Sequence, residues 1–177
     1  MYSISGKQPG SNRPFKHLDT AHGGWGARAG SDGFGPAKTI IHGDNRDIPI
    51  EIQEALYPLR VERYELTQDS AGAGTHRGCP GVYREYSVLS DARMTAMMER
   101  TKIAPWGILG GSDGVPGHIE IARPTEPPFI ANKITNVALP AGTRVTFRTS
   151  GGGGYGEPRN RPAELVRQDV LQGLVSR

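Results

Sequence analysis

Apolar and polar positions along this chain alternate in short segments separated by glycine and proline, with the period of strands. LRVERYEL (59–66) sets apolar against charged residues with a period near two, as a half-buried strand does. GVYREYSVL (81–89), ARMTAMMER (92–100) and GHIEIARP (117–124) repeat the pattern, and ITNVALPAGTRVTFRTS (134–150) reads as two strands about Pro140-Ala141-Gly142. AGAGTHRGCPG and GGSDGVPG punctuate them as turns. Such spacing predicts antiparallel pairing in place of alternating β-α units.

Two segments depart from the strand pattern. IPIEIQEALYP (48–58) offers a proline for a first helical position, acids at Glu51 and Glu54, and a stop at Pro58, which predicts one short helix near 49–57. RPAELVRQDVLQGLVSR (161–177) spaces Val166, Val170 and Leu174 four residues apart, the stripe of a C-terminal amphipathic helix. With no Gly or Asn cap apparent before Arg177, that helix is expected to be cut within or just after its last turn. The predicted class is α+β and β-rich: antiparallel strands, Gly-rich loops, and these two helices. Residues 1–16 lack periodicity and are expected as an N-terminal arm that orders only against a neighbour. Residues 17–36, with six glycines in twenty positions, are expected as a loop of constrained backbone. No internal repeat is present.

Composition narrows this picture without redirecting it. A length of 177 residues suits about one domain, and 25 glycines with 14 prolines sit just under the roughly 25–30 % that marks low complexity. No apolar run approaches the roughly 18 residues of a spanning helix, and MYSISGKQPGSNRPF lacks the apolar segment of a secretory signal, so a soluble cytoplasmic protein is expected. The single cysteine, Cys79, excludes an intrachain disulfide. Residues 1–70 carry 8 basic and 9 acidic side chains and residues 71–177 carry 13 and 9, with no basic run to track a phosphate backbone. Nucleic acid and membrane are therefore not expected as partners.

Several constellations bear on chemistry. His17, Asp19 and His22 have a spacing that could hold a divalent metal if the backbone turned, against a plainer reading as surface or interface residues. Asp44, Asp47 and Glu51 form an acidic cluster suited to proton transfer or Mg²⁺, although Asp47 and Glu51 equally suit a helix N-terminus. Gly23-Gly24-Trp25-Gly26 could turn backbone N–H groups toward a ligand as an anion nest with the indole closing one side, or form a tight turn about a packed Trp. Gly151–Gly154 lacks the Gly-Lys-Ser/Thr of a phosphate loop. Cys79 sits in a turn near His76 and reads as a bystander thiol. The alternating Arg60, Glu62, Arg63 and Glu65, with Arg84 and Glu85, suggest cross-strand ion pairs.

Five ordered blocks, GGWGARAGSDG (23–33), IPIEIQEALYPLRVERYEL (48–66), DSAGAGTHRGCPGVYREY (69–86), PWGILGG (105–111) and GGGGYGEP (151–158), resemble the C-terminal part of the hydantoinase B/5-oxoprolinase family. That family is related to the large subunits of acetone and acetophenone carboxylases. The resemblance spans roughly residues 17–175, so 17–177 is expected to be the C-terminal portion of a hydantoinase B-type subunit. It implies a hydrolase in which a hydantoinase A-type partner uses ATP to phosphorylate a cyclic amide, while the B-type subunit completes ring opening. ATP would come through that partner, and the missing N-terminal part of the B-type subunit would be a second one. Any divalent metal would lie off this chain, since metal-binding relatives hold it in their N-terminal part. Gly78-Cys79 stands where the family usually has Gly-Gly. Asp19 matches a family acid, whereas His17 and His22 fall outside the pattern. The site residues implied are Asp19 for polar orientation, Gly23, Gly24, Trp25 and Gly26 for substrate binding, and Asp44 with Glu51 for proton or metal-linked work. A ketone carboxylase of the acetone type and a non-catalytic assembly module are the competing expectations.

Overall fold

The computed structural model of the chain describes residues 1–38 and 46–176. Its strands are β1 (Tyr2–Lys7), β2 (Pro14–Asp19), β3 (Leu59–Leu66), β4 (Val82–Val88), β5 (Ala92–Met97), β6 (His118–Ala122), β7 (Phe129–Ala131), β8 (Lys133–Leu139) and β9 (Arg144–Arg148). Helix α1 (Ile50–Leu56) precedes β3, and a 3₁₀ turn (Pro158–Asn160) precedes helix α2 (Ala163–Leu171). The strands form two antiparallel sheets, ordered β2-β1-β5-β8 and β3-β4-β9-β6-β7. Tyr2, Ile4, Phe15, Met94 and Leu139 from the first meet Leu59, Tyr86, Ile119, Ile121 and Phe147 from the second in one core. The expected β-rich α+β class is what forms.

Strand pairing follows the alternation, including where it slips. In β3 the apolar residues fall at 59, 61, 64 and 66, so strict alternation would turn Tyr64 and Leu66 outward. A bulge between Val61 and Arg63 absorbs the extra residue, and Leu59, Val61, Tyr64 and Leu66 lie opposite Val88, Tyr86, Arg84 and Val82, although Tyr64 and Leu66 stay exposed at this end of the strand. The two strands expected in 134–150 exist as β8 and β9, but the turn at Pro140–Thr143 carries the chain from one sheet to the other, so they are not partners. The expected ion pairs are mostly not cross-strand. Arg60–Glu62 and Arg63–Glu65 join neighbours on β3, while Arg144–Glu85 bridges adjacent strands.

Four expectations are corrected. Residues 1–16 contain β1 and the start of β2, and β1 lies inside the first sheet with Tyr2 and Ile4 in the core, because Tyr2 and Ile4 alternate with small serines that a search for charged partners passes over. Residues 17–19 of the expected loop finish β2. Helix α2 is not seated mainly on an apolar stripe: Val166 is exposed and Asp169 is buried. Arg161 places Nη1 and Nη2 each 2.8 Å from the Asp32 carboxylate, its Nε donates to Asp169 at 3.0 Å, and Arg77 Nε donates to Asp169 at 3.1 Å. Burial alone would raise the Asp32 carboxyl; the bonds from Arg161 and from the Arg77 N–H outweigh it and hold the group below its ordinary range. Nor does α2 lack a cap. Gly173, at φ +71°, closes it as the N–H groups of Gly173 and Leu174 bond the carbonyls of Val170 and Asp169. No described helix is long and apolar enough to cross a membrane.

A second core consists of backbone alone. Gly151–Gly154 is a buried extended run enclosed by segments 23–27, 70–73, 78–79, 105–108 and 112–115. Gly72 N–H bonds Gly152 O at 2.8 Å, Gly152 N–H bonds Cys79 O at 2.9 Å, and Ala27 N–H bonds Gly153 O at 2.8 Å. Ile108 N–H bonds Gly154 O at 3.0 Å, and Gly154 N–H bonds Ser112 O at 2.9 Å. A Cβ on Gly151, Gly152, Gly153 or Gly154 would lie well inside 3.0 Å of the backbone oxygens of Ser70, Trp25, Trp106 and Ala73 respectively. The run is filled space, with no opening for a phosphate.

Two outcomes follow from this packing. Gly152→Ala should lose about 3 kcal/mol or more in urea denaturation, since only backbone could yield, while Gly26→Ala, whose added carbon would meet Gly153 O at 3.6 Å, should stay close to wild type. Equal losses would show that the close approach is not limiting. The second concerns His17, fully buried against Tyr2, Tyr57 and Tyr86 with no hydrogen bond to either ring nitrogen among the described residues. Burial lowers its pKa, Arg84 adds to this and Asp19 opposes it, so the neutral ring is the folded form. The unfolded chain binds the proton more readily, so this contribution is complete above about pH 6.5 and is lost as pH falls toward the lowered folded value. His118, also lowered by burial, adds to the same window. Denaturation midpoints should therefore fall between pH 7 and 5; His17→Phe should reduce that slope, and an unchanged slope would place the effect elsewhere.

Candidate functional site

The glycine core determines where the expected substrate-binding residues lie. Gly23, Gly24, Trp25 and Gly26 run along its edge and form one wall of an open cleft of about 630 Å³, whose other residues include Arg100, Pro105 and Ser150. Gly23 N–H bonds Ala37 O at 3.2 Å and Gly24 N–H bonds Ser150 O at 3.0 Å, so these two donors are held within the fold and do not form the expected nest. The Trp25 carbonyl accepts from Cys79 N–H at 2.9 Å, and its indole Nε1 donates to Ala37 O at 3.4 Å. Trp25 is thereby fixed at both ends. What the wall offers is shape, one indole face and the nearby Arg100 guanidinium.

Asp19 belongs to a second cluster, at the junction of β2, β3, β4 and α1. Its Oδ2 accepts from Arg84 Nη1 at 2.8 Å, and its Oδ1 lies 3.4 Å from Lys38 Nζ. Lys38 reaches Asp47 at 3.0 Å, Asp47 accepts from Tyr64 Oη at 2.6 Å, and Tyr64 Oη lies 2.9 Å from His22 Nδ1. Arg84 Nη2 donates to Gln53 Oε1 at 2.9 Å, and the guanidinium stacks on Tyr64 and Tyr86. Burial would raise Asp47, but the bonds from Tyr64 and Lys38 hold it below the usual carboxylate range. Burial raises the Tyr64 phenol, helped by Asp47, and pushes Tyr86 up to about 12. Two cations face two carboxylates, so the cluster is closed in charge as well as in geometry.

The other expected residues scatter. Asp44 lies outside the described residues. Glu51 is exposed in the first turn of α1, and Asp47 serves the Lys38 cluster instead of the helix N-terminus. His17, Asp19 and His22 do not converge: His17 is in the aromatic core, His22 is on Tyr64, and no group of three His, Cys, Asp or Glu side chains positioned for a metal occurs among the described residues. The Cys79 thiol is buried, pushed up by that burial, and donates to Pro80 O at 3.5 Å; His76 accepts from Gly30 N–H. Lys38 lies in none of the matched blocks, and Tyr64, although inside the block 48–66, carries no sign there of its part in the cluster. Arg84 did leave a signal, because in VYREYSV it occupies the inward phase with Val82, Tyr86 and Val88.

Comparison with known proteins concerns the chain as a whole. Residues 1–158 match the hydantoinase B/oxoprolinase family, so the match includes the first sixteen residues and ends before α2. The chain is 35 % identical over 163 residues to the putative B component of a D-/L-hydantoinase from Pseudomonas sp. (strain NS671), covering 91 % of this chain and 27 % of that one. The crystal structure of an ATP-dependent caprolactamase from Pseudomonas jessenii superimposes with a TM-score of 0.84 at 29 % identity, covering 99 % of this chain and 32 % of that chain. A nucleotide-free acetone carboxylase shares the fold at a TM-score of 0.76 and 20 % identity, covering 98 % and 28 %. The chain thus spans about a third or less of the proteins it matches. By the family match over residues 1–158, it belongs to the hydantoinase B/oxoprolinase family.

Proposed function

We propose that this chain is part of an ATP-dependent cyclic-amide hydrolase of the hydantoinase or 5-oxoprolinase type, supplying a glycine-rich active-site wall and a subunit interface. The observation that carries the reading is the cleft along Gly23–Gly26, built on a backbone core and left open on the side away from it. The hydantoinase and caprolactamase names of the relatives support hydrolysis of cyclic amides. The acetone carboxylase likeness, at 20 % identity, speaks to the fold alone and favours no ketone chemistry. ATP would be used by a hydantoinase A-type subunit, and the remainder of a B-type subunit would close the cleft.

In this reading Trp25 provides the apolar face on which a lactam ring lies. Asp19 acts as a positioning residue: it holds Arg84 and Lys38, which anchor the strands and the chain leading into the wall. Asp44 and Glu51 remain the proposed acids for proton or metal-linked work. The interface is supported by α1, which buries Gln53 and exposes Ile50, Ile52 and Leu56.

Reconstitution with the A-type subunit and the rest of a B-type subunit, followed by assays of ATP-dependent hydrolysis of 5-oxoproline, hydantoins and caprolactam and of ketone carboxylation, tests the proposal. Cyclic-amide hydrolysis is the expected result. Carboxylation alone, or assembly without turnover, would replace it with the carboxylase or assembly reading. Trp25→Ala should lower kcat/KM by about tenfold or more, and wild-type kinetics would remove the wall from the site. Ile52→Glu should leave the thermal midpoint of the chain unchanged and weaken its co-purification with the remaining parts; undiminished assembly would move the interface away from α1.

A further inference from the structure

We propose that Arg100 makes the cleft beside Gly23–Gly26 an oxyanion site that takes the carboxylate or phosphoryl group of a small ligand. The inference rests on the reading of that cleft as a substrate wall and names the charge the cleft accepts. Arg100 lines the cleft together with Trp25. Its guanidinium carbon lies 4.5 Å from the centre of the Trp106 ring, so one face is covered by the indole while the edge that carries the N–H donors is left free. No carboxylate among the described residues pairs with it. One acid, Glu99, lines the same cleft, and its charge is met by Lys133 at 2.9 Å. Arg60, Arg77, Arg84 and Arg161, by contrast, all engage carboxylates.

The backbone presents this side chain at a cost. Arg100 has φ +55°, a left-handed conformation that side chains rarely adopt, and its carbonyl is tied down by Gly117 N–H at 3.0 Å. Glycine would fill that position without strain, yet the chain places there a side chain that makes no internal polar contact. A planar fork of donors, already oriented by the ring beneath it, matches two oxygens of one carboxylate or phosphoryl group. Ser150 also lines this cleft, whereas the Thr149 hydroxyl is taken up by the Val82 N–H at 2.7 Å.

The chain has two tryptophans, Trp25 on the cleft wall and Trp106 beneath Arg100, so their indole N–H resonances report directly on occupancy. The ¹⁵N-labelled chain would be titrated with inorganic phosphate and with acetate at constant ionic strength. Saturable shifts of the Trp106 signal are expected with at least one anion, and the tighter one identifies a phosphoryl or a carboxylate ligand. Arg100→Gly should weaken that binding by about tenfold or more while keeping or raising the thermal midpoint, because glycine relieves the positive φ. Arg13→Gln, which removes the same charge from the β1–β2 turn, should bind as wild type. Absence of saturation with both anions, undiminished binding by Arg100→Gly, or equal weakening by Arg13→Gln would each overturn the proposal. Since the measurement uses this chain alone, its failure is separate from any failure of turnover in the reconstituted enzyme.

Discussion

The approach of backbone to backbone at Gly151–Gly154 is the constraint on which the rest of the molecule depends. A conventional core tolerates exchange of one apolar side chain for another, because rotamers can shift and neighbours repack. Here the enclosing carbonyls and amides leave no such freedom. Contact and hydrogen bonding are satisfied together, so the five enclosing segments, remote from one another in sequence, are fixed as a group. Trp25 and Trp106, whose carbonyls bracket Gly152 and Gly153, come to flank one cleft for this reason, the first directly and the second through Arg100. The cleft is thus positioned by a lattice containing almost no side chains.

Elements outside the lattice and the aromatic core are held by charge. Gln53 of α1 reaches the cluster of Asp19, Lys38, Asp47 and Arg84, while α2 docks through Asp32, Arg77, Arg161 and Asp169. Each group pairs two cations with two carboxylates. Buried pairs of this kind add little net stability over apolar packing, whereas leaving one charge unpaired costs about 3–5 kcal/mol. Their effect is to restrict each helix to one seat. That explains how α2 can dock with Val166 exposed, and how α1 can bury a glutamine.

Much of the fold is legible in the alternation of residues, and the exceptions have physical causes. The strands β3, β4, β5, β6, β8 and β9 and the helix at 50–56 were visible because apolar residues recur at the right period between turn residues. β2 was hidden because its inward positions include His17, a residue whose burial only its aromatic neighbours justify. β7, three residues long, carries too few positions for a period to show. The glycine runs were legible as constrained loops, but a linear pattern cannot show that separate loops pack on one another. The same limit applies to the site. Asp19 could be marked by resemblance, whereas Lys38 and Tyr64 acquire meaning only once Asp47 lies between them.

Helix α1 carries the last step. A surface helix ordinarily buries its apolar stripe, yet this one turns Gln53 inward and Ile50, Ile52 and Leu56 outward. With only seven residues it has little intrinsic stability, and its inward contact is polar, while Ile50, Ile52 and Leu56 keep roughly a third to a half of their surface exposed. They gain free energy only if further polypeptide covers them. The relatives that share this fold are about three times as long or more. The inverted helix and the open cleft share one property: each presents apolar surface that the two sheets do not cover.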